Sequence, residues 1–227
     1  MKKIAHLHRL PFIFIILYST SNLGHTQNSP QTKVEAPTIQ VGDSWVYDNI
    51  DGWKNSKEST STVIVTSVSE KTFQTESKND KNGEITKTIR NMDLNFIEKE
   101  TAVGKRIADP YNPSFSFPLE IGKKWEQKVT FSRTFEKDRK SVANLKGEVI
   151  GWEKITVSAG TFNALRVEVK GYYNASNGSG SWAGSINEIY WYVPEIKNSV
   201  KTIYKDTSDG KPYSNEITEL KEFKLTK

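Results

Sequence analysis

From about residue 38 onward, the chain consists of short runs rich in Val, Ile, Thr, Tyr, Phe and Trp, separated about every ten residues by clusters of Gly, Asn, Asp and Pro. This spacing is typical of β-strands joined by hairpins. In one run, Leu165, Val167 and Val169 alternate with charged residues, which places the apolar side chains on one face of a strand. No segment after residue 38 has the apolar pattern of an amphipathic helix, so we expect at most one or two short helices.

The breaks between these runs can be assigned to turns. Asn82-Gly83 can adopt the positive backbone dihedrals that a tight hairpin needs. Similar breaks occur at Ala159-Gly160 and within residues 177–181 and 208–212. We therefore predict an all-β fold, in which a single antiparallel meander domain forms a curved, clam-like or open-barrel sheet.

A weak internal repeat suggests how the domain is divided. The residues from Val41-Gly42 to Trp45 resemble those from Ile121-Gly122 to Trp125, eighty positions later. Either the similarity is fortuitous or the fold has two pseudo-repeated halves. On the second reading, a single β domain at 38–227 contains halves 38–100 and 119–227, joined by an irregular, proline-rich segment at 101–118. Such a crossover should cover a sheet edge or cap one end of the fold.

The N-terminus has the pattern of a secretory signal peptide. Basic residues at Lys2, Lys3 and Arg9 precede an apolar run at 10–18, which is too short to span a bilayer. We predict a signal peptide at 1–21, cleaved near Ser21 to Gly24, and the alternative is an uncleaved membrane anchor. Residues 22–37 are polar and proline-punctuated, as in a disordered leader. We expect an exported protein, periplasmic or extracellular, with no transmembrane segment in the mature chain.

The composition of the chain excludes most catalytic classes. It has no cysteine, and its only histidines are His6, His8 and His25. A domain beginning at residue 38 therefore lacks the usual nucleophile and base pairs, zinc ligands and haem ligands, and we expect no metal and no cofactor. Removing the three basic residues of the signal peptide leaves nearly equal numbers of basic and acidic side chains, interleaved along the chain. We therefore expect no nucleic-acid partner.

Carboxylates are the one remaining catalytic possibility, because paired Asp and Glu can hydrolyse glycosides without histidine. Glu153, Glu168, Glu188 and Glu195 all lie near aromatic residues. Strand alternation or a turn should turn each of them outward. We therefore expect the protein not to be an enzyme.

Aromatic residues are concentrated in the second half of the chain. In the segment Tyr190-Trp191-Tyr192, consecutive rings point to opposite faces of a strand. Two readings are open: the rings fill a core between sheets, or they line a concavity for an apolar or sugar ligand. On the second reading the candidate ligand-binding residues are Trp152, Trp182, Trp191 and Tyr192.

Four segments of the chain resemble a known family. They are 117–125 (FPLEIGKKW), 149–153 (VIGWE), 157–167 (VSAGTFNALRV) and 190–196 (YWYVPEI). Together they resemble the exported bacterial β-proteins of domain-of-unknown-function family 3108, over residues 38–224. The resemblance implies a curved or clam-like antiparallel sheet, similar in outline to the open barrels of periplasmic lipoprotein carriers. None of the matching motifs is a catalytic signature.

Two functions are consistent with these observations. The first is a non-enzymatic binding or carrier module for a lipid, another hydrophobic molecule or a glycan. The second is a structural or interaction protein of the cell envelope, which would contact an envelope protein through sheet edges or through residues 101–118.

Overall fold

The computed structural model describes residues 33–226, so the predicted signal peptide and residues 22–32 of the predicted leader lie outside it. Within this range the chain forms a twelve-stranded antiparallel barrel. The strands are β1 Ser44–Asp51, β2 Ser56–Val68, β3 Thr72–Asn79, β4 Ile85–Asn91, β5 Phe96–Thr101, β6 Gly104–Asn112, β7 Lys124–Arg133, β8 Lys140–Val157, β9 Gly160–Asn177, β10 Gly180–Val193, β11 Asn198–Ser208 and β12 Lys211–Lys224. A single 3-10 turn at Pro194–Ile196 separates β10 from β11. No helix in the described range is long and apolar enough to cross a membrane.

The strands follow one another around the barrel in chain order, and β1 pairs with β12 to close it. The predicted all-β antiparallel meander is therefore confirmed, and its two ends are joined. Each described strand has a neighbour on both sides, so none of them is an edge strand. Unpaired stretches remain where neighbouring strands overlap only in part, and contact through such edges stays a prediction. The seam between β6 and β7 is short, because only Arg106 to Asp109 pair with β7.

Residues 101–118 are not wholly irregular as we predicted, because half of them form β6. We predicted an irregular segment because prolines are rare within strands. Pro110 lies just beyond Asp109, the last β6 residue paired with β7, so its missing N–H breaks no bond to β7. After Pro110, side chains of β7 replace the backbone hydrogen bonds between the two strands. The indole of Trp125 donates to the Pro113 carbonyl oxygen (2.8 Å), and Gln127 Nε2 donates to that of Tyr111 (3.0 Å).

Residues 33–37, the end of the predicted disordered leader, are ordered against the barrel. Val34 is buried and exchanges two backbone hydrogen bonds with Leu119, of 2.8 and 2.7 Å. Its side chain joins the hydrophobic cluster at this end of the barrel, and this burial fixes a segment whose composition is otherwise that of a loop.

The two copies of the internal repeat form the same turn. Gly42 and Gly122 both have positive φ, of 92° and 83°. Gly42 donates its N–H to the Val65 carbonyl oxygen (2.9 Å), and Gly122 donates to that of Val149 (2.8 Å). These turns precede β1 and β7, so the matching motifs start strands that lie six positions apart in the barrel.

The two ends of the barrel differ. Hairpins after β1, β3, β5, β7, β9 and β11 lie at one end, which we call the tip end, and all other connections lie at the base end. The base end is filled by a hydrophobic cluster that includes Trp45, Phe115, Leu119, Tyr192, Ile196 and Leu220. Full burial of each such side chain contributes about 1.5–3 kcal/mol. A smaller cluster lines the inner wall of β7 to β9, with Val129, Leu145 and Val169 at its centre.

A candidate binding site in the barrel lumen

Above the base cluster, the inside of the barrel is polar on β1 to β4 and apolar on β7 to β9. Residues directly opposite one another in antiparallel strands share a face, so the register identifies the inward-facing side chains. On β1 to β4 these are mostly hydroxyl and amide side chains, namely Asn49, Ser61, Thr75, Ser77, Thr86 and Thr88. These hydroxyl and amide side chains form one polar wall of the lumen.

The lumen contains two adjoining compartments. The base-side compartment has a volume of about 450 Å³, and the tip-side compartment has a volume of about 820 Å³. Phe96, Lys99 and Asn112 line both of them. Lys99 thus stands at the junction of the two compartments.

One wall of the lumen carries three cations. Lys99 on β5 is opposite Thr88 of β4 on one side and Arg106 of β6 on the other. Arg90 lies two residues after Thr88 on β4, nearer the base end. Among the described residues, none of the three cations has a carboxylate oxygen within 4.0 Å. Burial lowers the pKa of Lys99, and repulsion from Arg106 and Arg90 lowers it further. Within residues 33–226, the Arg90 side chain makes a single hydrogen bond, to the Leu94 carbonyl oxygen at 3.1 Å.

The facing wall, built by β10 and β11, carries carboxylates. Glu188 is 7 % exposed and accepts hydrogen bonds from the Tyr190 hydroxyl (2.6 Å) and from Asn112 Nδ2 (3.4 Å). Burial raises the pKa of Glu188, and the opposing effects of these two hydrogen bonds and of the more distant Arg90 are smaller. Asp206 accepts a hydrogen bond from the Tyr173 hydroxyl (3.0 Å), and burial raises its pKa too. Neither carboxylate has a cationic nitrogen within 4.0 Å among the described residues.

Two further polar atoms of the lumen lack protein partners. Asn112 Oδ1 and Ser199 Oγ are buried and make no hydrogen bond within the described part of the chain, and both residues line the base-side compartment. Buried polar atoms in native proteins almost always have a partner. Because protein already covers both atoms, they are unsatisfied groups within the wall and not contacts for a bound molecule.

Aromatic rings surround the tip-side compartment. Phe131, Tyr173, Trp182 and Tyr213 all line it. Gly184 makes room for the ring of Tyr173, because a Cβ at this glycine would lie 2.3 Å from the Tyr173 Cζ atom. The guanidinium of Arg139 lies 5.0 Å from the ring centre of Trp182. The mouth of the lumen thus combines flat apolar faces with charged groups.

The four ligand-binding residues predicted from the sequence do not converge on one cavity. Trp182 lines the tip-side compartment. Tyr192 is fully buried in the base cluster beside Phe115, with ring centres 5.6 Å apart, and Trp152 packs against the same cluster. Trp191 is on the outer face of β10, opposite Arg166 of β9, and is 9 % exposed. Its indole N–H donates to Glu153 Oε2 of β8 at 2.8 Å.

Of the four carboxylates considered from the sequence, only Glu188 faces the lumen. Glu153 and Glu168 both pair with Arg166 on the outer wall. The hydrogen bond from the Trp191 indole, and then Arg166, lower the pKa of Glu153. Glu195 is exposed on the 3-10 turn. Residues 33–226 contain no group of three or more His, Cys, Asp and Glu that could hold a metal ion.

A larger depression, of about 1180 Å³, lies on the outer face of β7 to β9. Its walls carry alternating lysines and glutamates, and Tyr172 on its surface is 80 % exposed. Several of these charges pair with each other, for example Lys124 with Glu148 at 3.3 Å and Lys146 with Glu126 at 3.4 Å. Because its charges are already neutralised and solvated, this depression is a weaker candidate than the lumen.

No protein-family model matches the chain, and no curated protein matches it, so the resemblance to family 3108 stays a prediction. The solved structures similar to this chain include the following three. A candidate lipoprotein from Parabacteroides distasonis is 16 % identical, with a TM-score of 0.48, over 84 % of this chain and 99 % of that one. A candidate exported protein with a YmcC-like fold from Bacteroides fragilis is 10 % identical, with a TM-score of 0.39, over 84 % and 99 %. The hypothetical lipoprotein YmcC from Escherichia coli is 7 % identical, with a TM-score of 0.44, over 81 % and 85 %.

Proposed function

We propose that this protein is an exported, non-catalytic binding module whose barrel lumen holds a carbohydrate that carries an acidic group. The observation that carries the proposal is the polar lumen, in which Arg90, Lys99 and Arg106 face Glu188 and Asp206 without pairing with them. The export part of the proposal rests on the N-terminal sequence, with its basic residues followed by a short apolar run.

The lining of the lumen favours a sugar over an aliphatic chain. An acyl chain in the base-side compartment would cover the charged heads of Arg90 and Lys99 without offering them a hydrogen bond. Burying an unpaired polar group costs about 1–3 kcal/mol in proteins, and burying an unpaired charge costs more. The hydroxyl groups of a sugar both donate and accept hydrogen bonds, so they suit walls made of Ser, Thr, Asn and Tyr.

The unequal walls suggest how such a ligand would lie. A carboxylate or phosphate group on the sugar would neutralise Lys99 and Arg106, whereas sugar hydroxyls would donate to Glu188 and Asp206. The flat faces of Trp182 and Phe131 at the tip-side compartment suit stacking against a pyranose ring.

The arrangement of carboxylates favours binding over hydrolysis. Glycosidases place two carboxylates on either side of the scissile bond. Here Glu188 and Asp206 lie on neighbouring strands of the same wall, and the facing wall is cationic.

The experiment is a screen of the purified protein against an array of neutral and uronic-acid-containing oligosaccharides, followed by calorimetry on the strongest hit. We expect binding to uronic-acid-containing sugars, weakened at least about tenfold by Lys99→Met, since a buried charged hydrogen bond is lost. Lys170→Met, on the outer wall, is the matched control and should leave the affinity unchanged. Binding that is insensitive to Lys99→Met, an array with no acidic hit, or hydrolysis of the bound sugar would contradict the proposal.

A further inference from the structure

The hairpins at the tip end of the barrel carry exposed apolar side chains around the mouth of the lumen. Five of the six hairpins have one, and these five residues are between 37 % and 69 % exposed. They are Trp53, Ile85, Val103, Phe135 and Tyr213, which we call the apolar rim. Single exposed apolar residues are ordinary on a protein surface, and the base end also has five, at Val41, Val68, Ile121, Ile150 and Phe223. The set at the tip end differs because it includes a Trp and a Tyr and surrounds the mouth of the lumen.

The hairpins that present the apolar rim are tied to their neighbours. The N–H of Gly52 donates to the Asn215 carbonyl oxygen (2.8 Å), that of Thr134 to Lys105 (3.0 Å) and that of Asp209 to Ala183 (2.8 Å). Each of these bonds joins a tip to a strand or tip of the adjoining hairpin. These hydrogen bonds hold the hairpin backbones in place, so docking would cost little conformational entropy of the backbone.

Each residue of the apolar rim has a lysine within two positions in the sequence. These are Lys54, Lys87, Lys105, Lys137 and Lys211. Two of them pair with an acid of their own hairpin, Lys54 with Asp51 and Lys105 with Glu98. The β7–β8 hairpin has two acids, Glu136 and Asp138, against four basic residues at 133, 137, 139 and 140, and Glu136 pairs with Arg133 and Arg139. Acids also lie at Asp80, Glu84 and Asp209, so the end combines apolar side chains with charges of both signs and has its basic excess on the β7–β8 hairpin.

We propose that the apolar rim docks onto a phospholipid bilayer that contains anionic lipids. Trp and Tyr favour the interface between headgroups and acyl chains, and basic residues beside them are attracted to anionic headgroups. The rim residues are distributed one per hairpin around an opening, so they offer a protein partner no contiguous apolar patch, whereas a soft and flat lipid surface can meet all of them.

Docking in this orientation would bring the mouth of the lumen to the headgroup layer. Tyr213 belongs to the apolar rim and also lines the tip-side compartment, together with Arg139 and Trp182. The inference stands on the exposed hairpins alone and does not require that the lumen bind a sugar.

The test is co-sedimentation of the purified protein with vesicles of phosphatidylcholine, alone or mixed with phosphatidylglycerol, at low and high salt. We expect binding to the mixed vesicles that weakens as salt is added. The variant Trp53→Ser/Val103→Ser/Phe135→Ser should bind at least about tenfold more weakly, because three apolar anchors are lost. These residues are exposed, so the variant should fold, and its thermal unfolding checks this.

The matched control is Val41→Ser/Ile121→Ser/Ile150→Ser, which removes three exposed apolar residues near the base end. It should bind vesicles as the native protein does. Absence of vesicle binding by the native protein, or equal loss in both triple variants, would overturn the proposal. Self-association that disappears only in the rim variant, without vesicle binding, would also overturn it and would assign the rim to a protein contact. Sugar binding measured on the same variants separates this outcome from failure of the lumen proposal.

Discussion

The hydroxyl of Tyr190 donates a hydrogen bond of 2.6 Å to Oε2 of Glu188, two positions earlier on the same strand. The two side chains share the inner face of β10 because strand side chains alternate. The same hydroxyl lies 2.9 Å from Ser114 Oγ. Burial and the neighbouring carboxylate both raise the pKa of Tyr190. The lumen therefore holds a buried acid whose nearest polar neighbours are neutral.

The raised pKa of Glu188 gives a stability change of defined sign. Its carboxyl binds a proton more readily in the folded than in the unfolded protein, so its ionisation destabilises the fold as pH rises above the ordinary value of 4.5. We expect Glu188→Gln to raise the free energy of unfolding near neutral pH, with a gain that shrinks on acidification. Urea unfolding from pH 4 to pH 8 measures this, with the exposed Glu126→Gln as control. A gain that grows toward low pH would contradict it.

Asp43 should show the opposite pH dependence. It is fully buried, and burial alone would raise its pKa. Hydrogen bonds from the Thr226 N–H (2.7 Å), from Lys197 Nζ (3.0 Å) and from the Gln40 N–H (3.0 Å) outweigh this effect, so its pKa is lowered. The stabilisation is present above the ordinary value of 3.8 and is lost as pH falls through the lowered pKa.

We therefore expect Asp43→Asn to destabilise the protein by about 3 kcal/mol at neutral pH, because it leaves a lysine without its counter-ion. The difference from the native protein should narrow at acidic pH. Guanidinium unfolding across this range is the measurement, and a difference that is constant with pH would show that the charge of Asp43 is not what matters.

The close contact between Gly184 and Tyr173 predicts a specific effect of added volume. A Cβ at Gly184 would lie 2.2 Å from the Thr207 carbonyl oxygen as well as against the Tyr173 ring. We expect Gly184→Ala to cost about 1–3 kcal/mol and to displace the phenol from Asp206. Gly180→Ala, where a Cβ meets nothing within 4 Å, is the control and should change stability by less than about 0.5 kcal/mol. Equal effects of the two changes would show that the contact is unimportant.

The two tryptophans of the internal repeat should differ in their contribution to stability. Trp45 is fully buried and donates its indole N–H to the Ile196 carbonyl oxygen (2.9 Å), whereas Trp125 is half-buried at the β6–β7 seam. We expect Trp45→Phe to cost about 2–3 kcal/mol and Trp125→Phe about 1 kcal/mol, since only the first combines a lost hydrogen bond with a cavity in a packed core. Thermal unfolding of the two variants compares them, and a larger loss for Trp125→Phe would contradict this order.

The sequence was informative wherever one face of a strand is buried. Leu165 and Val167 alternate with charged residues and do point inward, and Gly83 does take a positive φ, of 68°. The connection is a five-residue loop at 80–84, because Asn82 does not share the positive φ that a two-residue turn needs. Local chemistry specifies both features, because a period of two and a positive φ are each written in adjacent residues.

The lumen could not be recognised from the sequence, because no local pattern specifies it. Inward-facing Ser61, Thr75 and Thr88 look like the solvent side of an ordinary strand, because alternation reports which residues share a face but not which face points inward. Closure of β1 onto β12 is a contact between the two ends of the domain and has no local signal. Trp191 lies outside the lumen, on the outer wall, where charged side chains cover its ring.

The most direct test of the central claim is an NMR titration of the purified protein with a uronic-acid-containing oligosaccharide, following backbone amides and the indole N–H of each tryptophan. A ligand in the lumen should shift the Trp182 indole and the amides of Lys99, Asn112 and Glu188, and should leave Tyr172 on the outer wall unmoved. Shifts confined to the outer face of β7 to β9, or no shifts at millimolar sugar, would contradict the account.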